Sequence, residues 1–114
     1  MDFTKDGFGD WMYRNLKPYS AVTPANFEVD FPQSLRDNSP LGQFLSILFD
    51  SPVVVTDRQY ELHGELHDLP EWAVVFQAAV KASGKLWLTG QECLKLLGYE
   101  PPLTVAPFEP FKTK

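Results

Sequence analysis

Apolar residues recur at helical spacing in two segments of the chain, each bounded by helix start and stop signals. In the first segment Asp68 is the expected N-cap, a proline follows in the first turn, and Gly84 ends the run. In the second, Thr89 and Glu92 have the spacing of a capping box and Gly98 supplies the stop. The pattern therefore predicts two amphipathic helices with these inner residues: Trp72, Val75, Phe76, Ala79 and Val80, then Leu94 and Leu97.

Two further helices are predicted upstream. Residues 10–16 place apolar side chains on one face and Pro18 ends that run, whereas residues 1–9 are polar and are expected to be irregular. Ser39 followed by Pro40 is a typical helix start. The helix that begins there has an apolar inner stripe made of Leu41, Phe44, Leu45 and Leu48.

Strands are indicated by a period of two and by β-branched runs. Residues 27–31 alternate apolar and acidic side chains, and residues 53–56 are mostly valine. Residues 60–66 alternate as well, and we expect the strand from 60 to 67 to pair back on 53–56 as a hairpin. The fold class expected is α+β, with three to four short amphipathic helices packed on a small, mainly antiparallel sheet.

The chain is long enough for one domain and too short for two. Residues 1–100 are expected to form a single globular domain, and residues 101–114 an extended, proline-rich C-terminal arm. The arm carries more apolar side chains than a solvating tail needs. It is expected either to pack across the domain or to dock on another chain.

Aromatic residues make up 14% of the chain, and a domain of 114 residues cannot bury all of them easily. Surface aromatic side chains are enriched at protein interfaces. The groups considered as partner-binding are Phe8, Trp11 and Tyr13 near the start, and Phe108 and Phe111 in the arm; for both groups a core role is the alternative. Trp87 is expected to pack across the two helices that flank it.

The net charge of −5 is unevenly distributed. Residues 1–69 hold eleven acidic and five basic residues, a net of −6, and residues 70–114 hold four acidic and five basic residues, a net of +1. No run of lysine or arginine is present, so the charge argues against direct binding to nucleic acid. An acidic surface could instead meet the basic groove of a nucleic-acid-handling enzyme.

A metal site is one alternative. Glu61, His63, Glu65 and His67 are spaced by two, and a single strand would place all four side chains on one face. Imidazole and carboxylate are ligands that zinc accepts, so His63, His67 and Glu65 are the candidate metal ligands. The other interpretation is the water-facing side of an amphipathic strand, with no cofactor.

DNA binding is the second alternative. Residues 70–98, two helices joined by a short connector, resemble the opening of an excisionase-type or winged-helix DNA-binding unit. The resemblance implies a recognition helix after Gly98, but Tyr-Glu-Pro-Pro follows there. Residues 70–100 carry three acidic and three basic residues, which provides few phosphate contacts.

The remaining chemistry is sparse, and no enzymatic activity is predicted. The lone Cys93 fits a reducing compartment, as a buried residue or as a nucleophile near a helix start. With no membrane-spanning run or signal peptide apparent, a cytosolic location is expected. The sequence thus predicts a small, acidic, non-catalytic protein-binding module of the inhibitor, immunity, phage host-takeover or chaperone type, with another protein or a second copy as partner.

Overall fold

The structure, a computed structural model, describes residues 2–23 and 38–99 and shows an α+β fold there, as predicted. Within these residues the helices are α1 (Lys5–Tyr13), α2 (Pro40–Leu48), α3 (Glu71–Ala82) and α4 (Gly90–Leu97). The strands are β1 (Tyr19–Ser20), β2 (Val53–Val55), β3 (Gln59–Leu62), β4 (Glu65–Asp68) and β5 (Trp87–Leu88). They form an antiparallel sheet in the order β2-β3-β4 and an antiparallel β1–β5 ribbon. The predicted strand at 27–31 and the arm at 101–114 lie outside the described residues.

The starts of α2 and α4 confirm the capping signals of the sequence. The Ser39 hydroxyl accepts a hydrogen bond from the Gly42 N–H at 3.2 Å. Thr89 Oγ1 accepts from the Glu92 N–H at 3.1 Å, and the Glu92 carboxylate accepts from the Thr89 N–H at 2.9 Å. Each bond satisfies a backbone N–H that the helix itself leaves unpaired, which fixes where the helix begins.

Helix α1 begins earlier than the sequence pattern predicts and also ends earlier. Thr4 caps it by accepting from the Gly7 N–H at 3.0 Å, so the expectation of an irregular segment is wrong for residues 5–9. The helix ends at Tyr13, and Leu16, expected on its inner face, is 47% exposed. The apolar period alone could not place the start, because the capping residue lies ahead of the first apolar turn.

Helix α3 buries Phe76 and Val80 and partly buries Trp72 and Ala79, as predicted, but it does not bury Val75. Ala73 and Gln77 are buried beside Phe76, whereas Val75 is 60% exposed. The Gln77 amide donates to the Thr56 carbonyl at 2.9 Å, and this buried bond holds α3 to the β2–β3 turn in that orientation. Asp68 is not the N-cap, since it ends β4 and α3 starts after Pro70 without a side-chain cap.

The core is centred on Phe8, which is fully buried where α1, α2 and α3 meet. Its ring lies 5.1 Å from those of Phe44 and Phe76, centroid to centroid, and 5.7 Å from Trp72. Aromatic pairs at such separations pack favourably edge to face or tilted. The other buried members of this core include Trp11, Met12, Tyr19, Leu41, Leu45, Val53, Val55, Val80, Leu88 and Leu97.

Strand β3 pairs back on β2 as an antiparallel hairpin, as predicted, but the run from 60 to 67 is two strands, not one. His63 and Gly64 both have positive φ, 54° and 80°, and form the two-residue turn between β3 and β4. A turn with both central residues at positive φ matches the twist of a hairpin, and glycine adopts it without strain. Leu62 consequently pairs with Glu65, and Tyr60 with His67.

Candidate functional site

The main candidate site is a groove between α3 and α4, here called the α3–α4 groove. It encloses about 390 Å³. Apolar side chains make up most of its lining, and two charged residues complete it: Trp72, Val75, Phe76, Leu96 and Leu97, with Lys5 and Glu71. Its apolar side chains come from two helices, so the packing of α3 against α4 determines its shape.

The orientation of α3 creates the groove. Because Phe76 points into the core, the preceding residue Val75 is turned outward and leaves its side chain largely in water. On α4 the same division appears, with Leu97 buried and Leu96 half-buried. The groove therefore joins the core at its floor and opens to solvent beside Val75.

The last turn of α4 is held in place by contacts with α1. Gly98 adopts a left-handed conformation, φ 78°, and its N–H donates to the Leu94 carbonyl at 3.0 Å. The following residue, Tyr99, lies against Gly9 of α1, where a side chain would overlap its ring, and its hydroxyl donates to Asp10. These contacts make the α4 wall of the groove a fixed surface.

The groove chemistry is suited to binding apolar groups. Lys5 and Glu71 are exposed, so both charges are in contact with water beside the apolar lining residues. The volume lies within the range of known binding pockets, about 300–1,000 Å³. The groove can therefore hold one or a few apolar side chains with polar groups at its margin.

A second exposed apolar feature lies on the β1–β5 ribbon. Leu86 is 68% exposed and Trp87 is 50% exposed, so the prediction that Trp87 packs across the two helices is wrong. Trp87 pairs with Ser20 in the ribbon, and alternation along β5 turns the next residue, Leu88, into the core. The sequence pattern Leu-Trp-Leu does not reveal which of the three points inward.

The aromatic residues considered as partner-binding are separated by the structure. Phe8 and Trp11 lie in the core, 0% and 6% exposed, which corrects their assignment to a binding surface. They are buried because α1 uses them to pack on α2 and α3. Tyr13 is half-buried, and Phe108 and Phe111 lie outside the described residues.

The four residues of the metal hypothesis do not share one face. His63 is in the turn, and β-pairing places Glu61 opposite Leu66, on the other face from Glu65 and His67. The Glu65 Oε1 to His67 Nε2 distance is 3.8 Å, while His63 Nε2 lies 2.9 Å from the Ser51 hydroxyl. Among residues 2–23 and 38–99 no group of three potential ligands is close enough to hold a metal ion. Zinc binding stays an untested prediction.

Cys93 is almost completely buried on the inner side of α4, which agrees with the structural interpretation of this residue. Burial, together with the negative charge of Glu92, raises the pKa of the thiol to about 12. The thiolate is the nucleophilic form, so this cysteine is unreactive near neutral pH.

Two lysines, one at the end of α3 and one in the connector to α4, bear on the DNA-binding alternative. Lys81 Nζ lies 3.1 Å from Asp57 Oδ2, and Lys85 pairs with Glu92. Phosphate binding would have to compete with these partners, so the local geometry adds no support for a DNA interface.

No protein-family model matches this chain, and no significant match is found among curated proteins or solved structures. In the part of the chain that the structure describes, the helices are too short or too polar to cross a membrane. Function must therefore be inferred from the described surfaces.

Proposed function

We propose that the protein is a non-catalytic binding module that holds an apolar segment of another protein in the α3–α4 groove. The observation that supports this most directly is Val75, which is 60% exposed in a groove whose lining also includes the buried side chains of Phe76 and Leu97. An apolar opening continuous with the core gains free energy when a second apolar surface covers it.

The charges at the groove suggest the chemistry of the partner. Lys5 and Glu71 both line it and differ in sign. A partner segment with an apolar anchor, an acidic side chain for Lys5 and a basic one for Glu71 would be complementary to this surface. An amphipathic helix has this arrangement, and grooves between helices commonly bind such segments.

The proposed setting follows from the sequence. The single cysteine fits a reducing compartment, so the partner is proposed to be a cytosolic protein. The excess of acidic residues in 1–69 would favour a partner with a basic surface, such as a nucleic-acid-handling enzyme. The groove takes only Lys5 from residues 1–69, so binding there would leave the acidic residues of that part of the chain to steer association.

The test compares two single-residue variants of the full chain. Val75→Glu places a charge in the groove, and Ile47→Glu makes the same change at a 55% exposed position on α2. Tagged wild-type and variant proteins are used to capture partners from lysate, and the captured protein is then purified and titrated. We expect Ile47→Glu to retain its affinity within about twofold and Val75→Glu to lose tenfold or more, the loss of about 1.4 kcal/mol or more.

Two results would contradict the proposal. One is a captured protein that binds Val75→Glu and the wild type equally, provided that circular dichroism and unfolding midpoints show both to be folded. The other is loss of binding only when residues 101–114 are deleted, which would assign recognition to the arm carrying Phe108 and Phe111. Retention of duplex DNA at low salt, without a protein partner, would favour the DNA-binding alternative instead.

A further inference from the structure

Among the residues that the structure describes, strand β4 is an edge strand with one side of its backbone unpaired, and we propose that it pairs with β4 of a second copy of this chain. Within residues 2–23 and 38–99 it is bonded only to β3, in the three-stranded order β2-β3-β4. Three of its four residues are exposed, with Leu66 at 52%. An exposed edge of this kind is a template for pairing with another strand.

The two-residue turn decides which backbone groups are free. Residues that flank such a turn form a hydrogen-bonded pair, so Leu62 and Glu65 bond to each other and hydrogen-bonded pairs then recur every second position. This alternation requires Arg58 and Leu69 to form a hydrogen-bonded pair, and the Leu69 N–H does donate to the Arg58 carbonyl, at 2.9 Å. The N–H and C=O of Leu66 therefore point away from β3, toward the open edge.

At the opposite edge of the same sheet, on β2, an outward-pointing backbone N–H already has a hydrogen-bond partner. The Val53 N–H of β2 donates to the Ser46 hydroxyl of α2 at 2.9 Å. That side chain occupies the position where a further strand would bond. Strand addition to this sheet is therefore directed to β4.

One register makes the β4 edge complementary to itself. In an antiparallel pair centred on Leu66, the two Leu66 residues exchange both backbone hydrogen bonds, and Glu65 of each copy lies opposite His67 of the other. Side chains opposite each other across a non-hydrogen-bonded pair are close, with Cβ atoms about 4.5–5.5 Å apart. Glu65 and His67 are already neighbours within one chain, at 3.8 Å, so the dimer would contain two carboxylates and two imidazoles in alternation.

The neighbouring registers lack this complementarity. If the pair is centred on Glu65, one residue nearer the turn, the two Glu65 side chains face each other and carry like charges. If the pair is centred on His67, the two His67 side chains face each other. Pairing of a carboxylate with an imidazole thus favours the Leu66-centred register, in which the two exposed Leu66 side chains also meet on the outer face of the sheet.

The first test is sedimentation equilibrium of the full chain at protein concentrations up to about 1 mM, since so small an interface gives weak association. Leu66→Pro removes only an outward N–H and leaves the β3–β4 ladder bonded, because proline is compatible with an edge strand there. Leu66→Ala is the matched control, as it loses the side chain and keeps the N–H. We expect the wild type to dimerise, Leu66→Ala to dimerise more weakly and Leu66→Pro to remain monomeric with an unchanged fold.

The second test addresses the register. Glu65→Lys removes the carboxylate that faces His67, and His67→Glu places two carboxylates opposite each other, so each should weaken dimerisation about fivefold or more. The double variant places opposite charges at position 65 of each copy and position 67 of the other. It should recover most of the lost dimer affinity, measured at about 0.15 M salt. A monomeric wild type at 1 mM, dimerisation of Leu66→Pro equal to that of Leu66→Ala, or a double variant no better than the singles would overturn the proposal.

Discussion

Replacing Phe8 by alanine tests whether α1 serves the core or a partner. Phe8 is 0% exposed, and its ring contacts those of Phe44, Trp72 and Phe76. The truncation removes apolar surface from the centre of three packed helices and leaves a cavity that the surrounding rings, held by two other helices, cannot easily fill. We therefore expect a large loss of stability rather than a selective loss of binding.

The expected magnitude follows from this burial. Phe→Ala substitutions at fully buried sites cost about 3–5 kcal/mol. A domain of this size has a free energy of unfolding of about 5–15 kcal/mol, so the variant loses a large share of its stability. With a urea slope of about 2 kcal/mol per molar, the unfolding midpoint should fall by about 2 M.

The assay is equilibrium urea unfolding followed by tryptophan fluorescence. Tyr13→Ala, at a half-buried position near the end of the same helix, is the control and should change the free energy of unfolding by about 1 kcal/mol or less. If Phe8→Ala kept the wild-type midpoint and nevertheless abolished capture of a partner, the assignment of Phe8 to the core would be refuted.

Two further predictions concern α4. The Lys85 ammonium and, to a smaller extent, the Thr89 N–H hold the pKa of Glu92 below its usual value. The ionised Glu92 carboxylate therefore stabilises the fold at a pH above the pKa that it has in the unfolded chain. This stabilisation is lost as the pH falls through the pKa of Glu92 in the folded protein. Glu92→Gln should therefore lose less stability than the wild type between pH 7 and pH 3 in urea titrations; an equal loss would contradict this linkage. Cys93, buried and with its pKa raised to about 12, should not react with a chromogenic disulfide at pH 8 until urea unfolds the chain. Rapid stoichiometric labelling of the native protein would disprove its burial.

The helix caps could be predicted from the sequence because each cap involves residues that are close together in the chain. Ser39 and Thr89 identify helix starts through side chains that reach only three residues ahead. Gly98 identifies a helix end because the left-handed conformation there favours glycine. These signals located α2 and α4 without any tertiary information.

The groove and the sheet edge could not be predicted in the same way. The outward position of Val75 accompanies the Gln77–Thr56 hydrogen bond, which joins residues 21 positions apart and has no periodic signal in the sequence. The run from 60 to 67 alternates as one strand would, and only Gly64 hinted that a turn interrupts it. Once that turn is placed, Glu61 moves to the face opposite Glu65, and the four-residue metal pattern is lost.

The contact between α1 and the end of α4 has a consequence for how the chain folds. Gly9 meets the Tyr99 ring, and β1 bonds to β5, so the early residues find part of their packing partners near the end of the described chain. Contacts of such large sequence separation slow folding, because a long loop must close before they form. During synthesis α1 can pack Phe8 against α2 and α3 as soon as these helices are made, but the side of α1 at Gly9 stays uncovered until Tyr99 has been added.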